Sequence, residues 1–459
     1  MKDLPNVFIV VMDTLRKSVL PVYGGTAESP NITNFAGDSV VFPKPVSPSS
    51  WTVPSHFSMF TGLYPREHHV HEDSTGGLVS TPAKIFDYTG FHIIKYLRDK
   101  GYTTLGMSAN PVLHPASGFD SHFSQYTVVP NDYNFSFKTA DVKTFKKYDK
   151  NLQIAALKMI SRGKISELME YYRSYQYIHN IWKATGFPSI KGSDVLFDFA
   201  MNTSLEQPFF MFMNVYDVHE PVCKFDLYNT PLLELLDLIG NKIIKEGQMK
   251  KIRESYMNSA RRMDEQFGRF ISYLKKSGLY ENSLIILTSD HGQSLKEPEE
   301  FPYYGHGTFL YDSLIEVPLI VKYPRNVKFE VNEGYQSLTS IPEIIKNVLE
   351  DDKIKDPTRS VVFSESWGYM NNIKTMIGEY QELSNVDFEE FISKIGYPRK
   401  SVYSNGFKLT VDGKRGKIVE FKKDGKPVSV DKNHGTVSSM IEELEIFKGM
   451  DSFNLPILK

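Results

Sequence analysis

Unbroken apolar runs that stop abruptly at polar residues recur along the chain. Runs of this length are typical of strands buried on both faces, as in a parallel sheet covered by helices. Two further apolar runs, residues 318–321 and 361–363, predict strands of the same kind. The four clearest runs, each with the polar residues that follow it, are residues 7–12 with Asp13, residues 103–107 with Ser108 and Asn110, residues 209–215 with Asp217 and His219, and residues 284–287 with Ser289, Asp290 and His291.

Segments with helical periodicity separate these runs. Residues 253–277 place apolar side chains at steps of three and four and are followed by Gly278, while residues 91–100 and 341–349 are shorter cases. The alternation predicts an α/β fold, a doubly wound and mostly parallel sheet sandwiched by helices. Ligands of such sheets bind beyond the carboxyl ends of the strands, so the polar residues that follow the runs are predicted to gather at one site.

Two regions depart from this pattern. Residues 134–198 are rich in lysine and tyrosine with helical spacing, which predicts an inserted helical segment serving as a lid or an oligomer contact. Beyond residue 397, short alternating stretches separated by one Asn-Gly and two Asp-Gly pairs predict a small antiparallel sheet, followed by a helix at 437–448. The predicted domains are therefore a catalytic α/β domain at 1–395 and a small α+β subdomain at 396–459.

Composition narrows the class of protein. The chain has 459 residues, a formal charge of −2 and 41% hydrophobic residues, which is typical of a globular protein without a basic surface for nucleic acid. No uncharged stretch reaches the roughly 18 residues that a membrane span needs, and the first residues lack the features of a secretion signal. The single cysteine, Cys223, fits a reducing compartment. These features predict a cytoplasmic protein, and they leave a homo-oligomer open.

Asp13 and the Asp290-His291 pair follow two predicted buried strands and are candidate metal ligands. Two carboxylates and one imidazole suit a divalent cation of the zinc or manganese type. Calcium and magnesium, which prefer oxygen ligands, stay possible. The sequence does not decide between one ion and two, since a second ion would need Asp217, His219 or Asp312 to face the site.

Thr52 precedes Pro54 at the start of a predicted helix and has two possible roles. It is either the residue that caps the helix or a nucleophile, since a threonine hydroxyl becomes reactive when a metal or base favours loss of its proton. The start of a helix, with its free backbone amides, also suits a bound phosphate or sulfate.

Four segments together resemble the sulfatase branch of the alkaline phosphatase superfamily over about residues 5 to 350. NVFIVVMDTLR is similar to the family's first metal-binding strand, and SSWTVPSHFSMFTGLYPREHHV to its nucleophile segment. FFMFMNVYDVHEP resembles the strand with a substrate-binding histidine. LIILTSDHGQSL and YGHGTFLYDSLIEVPLIV resemble the second metal-binding strand and the segment that follows it. The resemblance also fits the predicted C-terminal sheet, whereas residues 134–198 do not match.

The resemblance implies roles for individual residues. Asp13, Asp290 and His291 become metal ligands, and Thr52 becomes the nucleophile. His219 and His306 become donors to the substrate's oxygens or a leaving-group acid. His56 and Asn110 become substrate-binding residues, whereas His68, His69 and His71 are expected to lie away from the metal.

Three departures from the family pattern bear on the chemistry. Sulfatases oxidise a cysteine or serine at the position of Thr52 to formylglycine, and threonine is not a substrate for that modification. His56 replaces the usual arginine of the motif, and Thr14 stands where many sulfatases have a further metal-binding aspartate.

Three functions follow in order of preference. The first is a metal-dependent hydrolase or transferase of phosphoesters with a covalent Thr52 intermediate, acting on a small molecule. The second is a sulfuric ester hydrolase that uses unmodified Thr52. The third is a non-catalytic homologue that binds a metal or an anion.

Overall fold

The structure is a computed structural model that describes most of the chain. The described residues are 4–72, 88–115, 118–129, 152–166, 168–169, 191–220, 222, 244–296, 304–350, 354–368 and 397–457. Cys223 and most of the predicted insertion at 134–198 lie outside them.

A seven-stranded sheet organises the larger part of the fold. Its strands are β1 (Asn6–Met12), β2 (Val40–Val41), β4 (Thr103–Ser108), β5 (Gln125–Val128), β6 (Phe209–Val215), β7 (Ser283–Thr288) and β10 (Leu319–Lys322). They are arranged in the order β2-β10-β7-β1-β6-β4-β5. The five strands from β7 to β5 are parallel, while β10 runs antiparallel to β7 and β2 antiparallel to β10. The predicted mostly parallel sheet is confirmed, but the strand predicted at 318–321 is antiparallel.

The apolar runs are unbroken because both faces of the sheet are buried. In β1, Phe8, Val10 and Met12 belong to one hydrophobic core, while the alternate residues Val7, Ile9 and Val11 belong to a second core on the opposite face. Successive side chains of a strand point to opposite faces, so the central strands are apolar at nearly every position.

Helices cover both faces and connect the strands. The predicted helix at 253–277 is part of α7, which starts seven residues earlier and packs Tyr256, Met263 and Phe267 into the first core. The helices are α1 (Pro30–Gly37), α2 (Thr52–Thr61), α3 (Pro65–His68), α4 (Ile93–Asp99), α5 (Leu152–Ser161), α6 (Ser193–Asn202), α7 (Glu246–Lys276), α8 (Asp312–Ile315), α9 (Ile341–Glu350) and α10 (His434–Lys448). None of the helices in the described part of the chain combines the length and apolar character needed to cross a membrane.

A separate five-stranded antiparallel sheet, called the small sheet below, has the strand order β12-β13-β14-β15-β16, and α10 packs against it. The turns Asn405-Gly406 and Asp424-Gly425 have positive φ at both residues, as two-residue hairpin turns require. The strands are β12 (Val361–Ser366), β13 (Arg399–Ser404), β14 (Phe407–Asp412), β15 (Lys417–Lys423) and β16 (Lys426–Pro427).

The strand predicted at 361–363 was expected in the large sheet, and that prediction is wrong. It is the first strand of the small sheet, where β12 pairs with β13. The division of the chain at residue 396 stays a prediction, although the small sheet takes one strand from before it. Two minor two-stranded sheets complete the described strands: β3 (Pro45–Val46) pairs with β11 (Gln336–Ser337), and β8 (Ser294–Leu295) with β9 (Tyr304–Gly305).

Candidate active site

The carboxyl ends of β1 and β7, which are neighbours in the sheet, deliver the three predicted metal ligands to one place. Asp13 follows β1, and Asp290 and His291 follow β7 by two and three residues. One potential ligand atom of each lies within 4.8 Å of the others. The chain turns sharply here: Thr14 has φ of 60° and donates its N–H to Asp290 Oδ1 at 3.2 Å. A non-glycine residue is uncommon in this conformation, which bends the chain so that the Thr14 N–H reaches Asp290.

The three side chains present the atoms that a cation needs. His291 Nδ1 lies 2.9 Å from the Gly292 carbonyl oxygen and must donate to it, which leaves the lone pair on Nε2. That Nε2 lies 3.4 Å from Asp290 Oδ2 and 3.9 Å from Asp13 Oδ1. These two carboxylate oxygens are buried without a hydrogen-bond partner among the described residues. Buried polar atoms are normally satisfied, so the donor set fits a divalent cation at this point.

Asp13, Asp290 and His291 are called the metal group below, and their electrostatics also favour a cation. Burial, reinforced by the charge of Asp290, raises the pKa of Asp13 to about 7. Burial likewise raises the pKa of Asp290 to about 6 and lowers that of His291 to about 4. Two buried carboxylates side by side resist ionisation, and a bound cation removes that resistance.

Thr52 is the first residue of α2, and its hydroxyl faces the metal group. The residue in the N-cap position is Trp51, whose φ of −155° is extended and whose side chain makes no capping bond. Thr52 Oγ1 lies instead 3.3 Å from His291 Nε2 and 3.4 Å from Asn110 Nδ2. Of the two roles left open by the sequence, the geometry therefore disfavours the helix cap.

Asn110 connects the nucleophile candidate to the metal group. Its Nδ2 donates to Asp13 Oδ2 at 2.7 Å and lies beside the Thr52 hydroxyl. Asn214, in β6, donates to the same Asp13 oxygen at 3.1 Å. The two amides orient Asp13 so that its other oxygen, Oδ1, faces His291.

His56 lies one turn beyond Thr52 on α2 and contacts the Thr52 backbone and Asn214. It is fully buried, its Nδ1 is 2.8 Å from the Thr52 carbonyl oxygen, and its Nε2 is 3.2 Å from Asn214 Nδ2. Burial lowers the pKa of His56 to about 3, so the ring is neutral. Because both nitrogens are engaged by protein groups, this placement favours support of α2 over the predicted contact with substrate.

His219 and His306 adjoin the metal group and share a partner, Glu220. The ring centroids of His306 and His291 are 4.5 Å apart, and those of His306 and His219 are 4.9 Å apart. Glu220 lies between the two histidines, with Oε1 3.3 Å from His306 Nδ1 and Oε2 3.6 Å from His219 Nδ1. Burial alone would raise the pKa of Glu220, but the two imidazoles lower it below its usual range. The structure thus brings both predicted histidines to the site.

Other candidate residues point elsewhere. Asp217 lies 3.7 Å from the guanidinium of Arg262, and Asp312 pairs with Lys408 and Lys422 of the small sheet, so neither faces the metal group. His68, His69 and His71 belong to neither group of possible metal ligands among the described residues, and their distance from a bound metal stays a prediction.

Two residues of the site were missed by reasoning from the sequence, Asn214 and Glu220. Asn214 carried a signal, since it is the single polar residue inside the apolar run 209–215. Glu220 carried none, because a glutamate next to a histidine on a loop is common at protein surfaces.

Comparison with known proteins identifies the family. The sequence profile of the Sulfatase family matches residues 5–347. Mouse iduronate 2-sulfatase is 27% identical to this chain over 353 aligned residues. The alignment covers 70% of this chain and 60% of the mouse protein. The arylsulfatase of Clostridium perfringens is 22% identical over 390 residues, covering 77% of this chain and 76% of its own length. The chain thus spans 60% of the length of the mouse and human iduronate 2-sulfatases that it matches.

Solved structures share the fold. The phosphonate monoester hydrolase of Silicibacter pomeroyi superposes with a TM-score of 0.61 at 16% identity, covering 98% of this chain and 96% of that one. A putative sulfatase from Bacteroides thetaiotaomicron gives a TM-score of 0.63 at 13% identity, covering 98% and 92%. The family match covers about three quarters of the sequence and includes Asp13, Thr52, Asp290 and His291. The chain therefore belongs to the Sulfatase family.

Proposed function

We propose that the protein is a metal-dependent hydrolase or transferase of phosphoesters and that unmodified Thr52 is its nucleophile. The observation that carries the proposal is the position of the Thr52 hydroxyl, 3.3 Å from His291 Nε2 and therefore beside the metal group. The substrate is a small-molecule ester, and we place the reaction in the cytoplasm, as the sequence predicts.

Asp13, Asp290 and His291 would hold the cation, because they offer two unpartnered carboxylate oxygens and one imidazole nitrogen. Zinc and manganese suit this mixed donor set best. When bound there, a divalent cation supplies positive charge that favours loss of the proton from a neighbouring hydroxyl.

The chain's own residues account for the bonds that form and break. Thr52 Oγ1 releases its proton to solvent and bonds to phosphorus as the bond to the leaving oxygen breaks. The leaving oxygen takes a proton from His306: burial lowers the pKa of this imidazole, but the charge of Glu220 more than offsets that effect, so its pKa lies above the usual value. Water, or an acceptor alcohol in a transferase, then displaces Oγ1 from phosphorus and returns a proton to that imidazole, while Thr52 regains its own from solvent.

Phosphorus is favoured over sulfur by the fate of the intermediate. In an enzyme with formylglycine, an aldehyde hydrate can expel sulfate by elimination, whereas a sulfated threonine has no such route. A phosphothreonine can be displaced in line, with Asn110 beside Oγ1 and the start of α2 stabilising charge. The phosphonate monoester hydrolases among the structural neighbours are consistent with chemistry at phosphorus on this fold.

The second candidate is a sulfuric ester hydrolase, because the curated relatives are named sulfatases. They include iduronate 2-sulfatase and N-acetylgalactosamine-6-sulfatase, and one structural neighbour was solved with D-glucosamine-2-N,6-O-disulfate. For this chain, that function requires water to attack the sulfur of a sulfated Thr52 and displace Oγ1.

Parallel assays on matched chromogenic esters test the proposal. The metal-loaded protein is offered p-nitrophenyl phosphodiesters, phosphomonoesters and sulfate under the same conditions. We expect phosphoester turnover to exceed sulfate-ester turnover by at least about tenfold in kcat/KM, a transition-state difference of about 1.4 kcal/mol. Preferred sulfate turnover would support the second candidate, and no turnover of any ester would support a non-catalytic homologue.

A further inference from the structure

We propose that His219, Glu220 and His306 hold a second divalent cation, separate from the one at Asp13, Asp290 and His291. The inference deepens the proposed function and rests on it only for the part that the second ion plays in turnover. The existence of the site rests on the geometry alone.

The three side chains converge as a metal site requires. One potential ligand atom of each lies within 4.8 Å of the other two. All three lie in the interior: the exposed fractions of the Glu220 and His306 side chains are 5% and 3%, and that of His219 is 12%. Two histidines and one glutamate, with a further position open for water or substrate, form a donor set found at catalytic zinc sites.

A buried oxygen without a partner points independently to a ligand. Glu220 Oε2 has no hydrogen-bond partner among the residues that the structure describes. His219 Nδ1, at 3.6 Å from this oxygen, is beyond hydrogen-bond distance. Leaving a buried charged oxygen unsatisfied is costly, and a cation between Glu220 and the two imidazoles removes that cost.

The hydrogen bonding of His219 selects the tautomer that can bind a metal. Its Nδ1 lies 2.7 Å from the Glu220 carbonyl oxygen, which only accepts, so Nδ1 carries the proton. The lone pair is then on Nε2, as in metal-bound histidines whose other nitrogen donates to a backbone carbonyl. In the metal group, the Gly292 carbonyl oxygen accepts the Nδ1 proton of His291 and leaves the lone pair on its Nε2 in the same way.

His219, Glu220 and His306 lie where a second ion could take part in the reaction. The rings of His306 and His291 are 4.5 Å apart, so the two groups of ligands are in contact. Sites with two ions stabilise the attacking and the leaving oxygens of one in-line displacement. When bound, an ion held by His219, Glu220 and His306 would supply the positive charge that stabilises the leaving oxygen, in place of the proton from His306, because a metal-bound imidazole has no proton to give. Thr52 would attack from the side of Asp13, Asp290 and His291. Asp217 and Asp312, the other candidates for a second ion, are paired with basic residues instead.

Metal counting on the full chain tests the proposal. Protein stripped with a chelator is titrated with Zn²⁺ and, separately, with Mn²⁺, and the bound metal is measured after gel filtration. We expect two ions per wild-type chain, one in Glu220→Gln and one in Asp13→Asn. The control Glu316→Gln, which changes a glutamate that pairs with Lys17 and belongs to neither group, should keep two.

Each other outcome overturns the assignment. One ion in saturated wild-type protein means that Glu220 only pairs with the two histidines, which then contact the ester oxygens directly. Two ions in Glu220→Gln mean that the second ion lies elsewhere. The wild-type count needs no variant to fold, and it does not depend on turnover. A failure of the phosphoester assay is therefore distinguishable from a failure of this proposal.

Discussion

At the scale of single residues, the position of one hydroxyl separates the two roles of Thr52. The sequence left open whether Thr52 caps α2 or attacks the substrate, because both roles place a threonine before a proline at the start of a helix. The structure places Trp51 at the N-cap and directs Thr52 Oγ1 toward His291 and Asn110. A side chain so oriented contributes little to the helix and is available for chemistry.

We therefore predict that substituting Thr52 affects turnover far more than stability. Thr52→Ala removes the attacking oxygen and should lower kcat by several orders of magnitude, whereas Thr52→Ser keeps a hydroxyl and should retain measurable turnover. Because Thr52 caps nothing, we expect the free energy of unfolding of the alanine variant to change by less than about 1 kcal/mol. Initial rates and thermal melts measure both effects. An alanine variant with near-native turnover is incompatible with a nucleophilic Thr52.

At the scale of elements, the loop before α2 is held from several sides. The Trp51 indole N–H donates to Glu72 Oε2 at 2.8 Å, and Glu72 Oε1 accepts from the Trp367 N–H, just after β12, at 2.7 Å. The carbonyl oxygens of Pro48 and Ser50 accept backbone N–H groups from β12 and from the segment that carries His306, each at 2.9 Å. The small sheet is thus connected to Trp51, the residue before Thr52, through the buried carboxylate of Glu72.

We predict that Glu72 positions Thr52 through Trp51. In Glu72→Gln, one of two accepting oxygens becomes a donor that faces another N–H, so the loop shifts. Misplacement of about 1 Å can cost on the order of 100-fold in rate, and we expect kcat to fall about 10- to 100-fold with KM little changed. Trp51→Phe, which removes the N–H, should produce a similar loss that does not add to the first in the double variant.

Glu365→Gln is the matched control for Glu72→Gln. Glu365 is also buried and belongs to β12, but its carboxylate bonds Lys400 and the Arg66 N–H rather than Trp51. We expect this variant to lose stability without losing kcat in the folded protein. Equal effects of both substitutions on kcat would show that Glu72 acts only through stability.

The elements themselves were largely predictable, whereas their partners were not. The apolar runs located β1, β4, β6 and β7, since strands buried on both faces leave little room for polar residues. The same runs hold no information on direction or partner, which is why β10 proved antiparallel and β12 belongs to the small sheet. At the site, the ends of strands revealed Asp13, Asp290 and His291. The contact of Glu220 with His306, 86 positions away, depends on the tertiary fold.

At the scale of the whole molecule, the buried carboxylates link metal binding to folding. The pKa values of about 7 for Asp13 and about 6 for Asp290 exceed those of unfolded chains. At these two groups the metal-free fold therefore binds more protons than the unfolded chain, and their contribution to stability is lost as the pH rises from about 4 through 6 and 7. A cation needs both groups ionised, so its binding strengthens over the same range.

This linkage predicts that metal stabilises the protein more at pH 8 than at pH 5.5. Protonation of the two carboxylates should weaken apparent metal affinity at pH 5.5 by roughly one to two orders of magnitude. Thermal melts with and without Zn²⁺ or Mn²⁺ at the two pH values measure the difference, with Asp13→Asn as the control. An equal shift in melting temperature at both pH values would contradict ligation by this pair.

The central claim, covalent catalysis at phosphorus by Thr52, is tested most directly by mass spectrometry of the nucleophile peptide. The metal-loaded protein is mixed with an activated phosphodiester, quenched in acid within the first turnovers and digested. The account predicts a phosphoester adduct on Thr52 that is absent from Thr52→Ala and disappears once substrate is exhausted. An unmodified Thr52 peptide during sustained turnover, or a sulfate adduct formed faster from a sulfate ester, would contradict it.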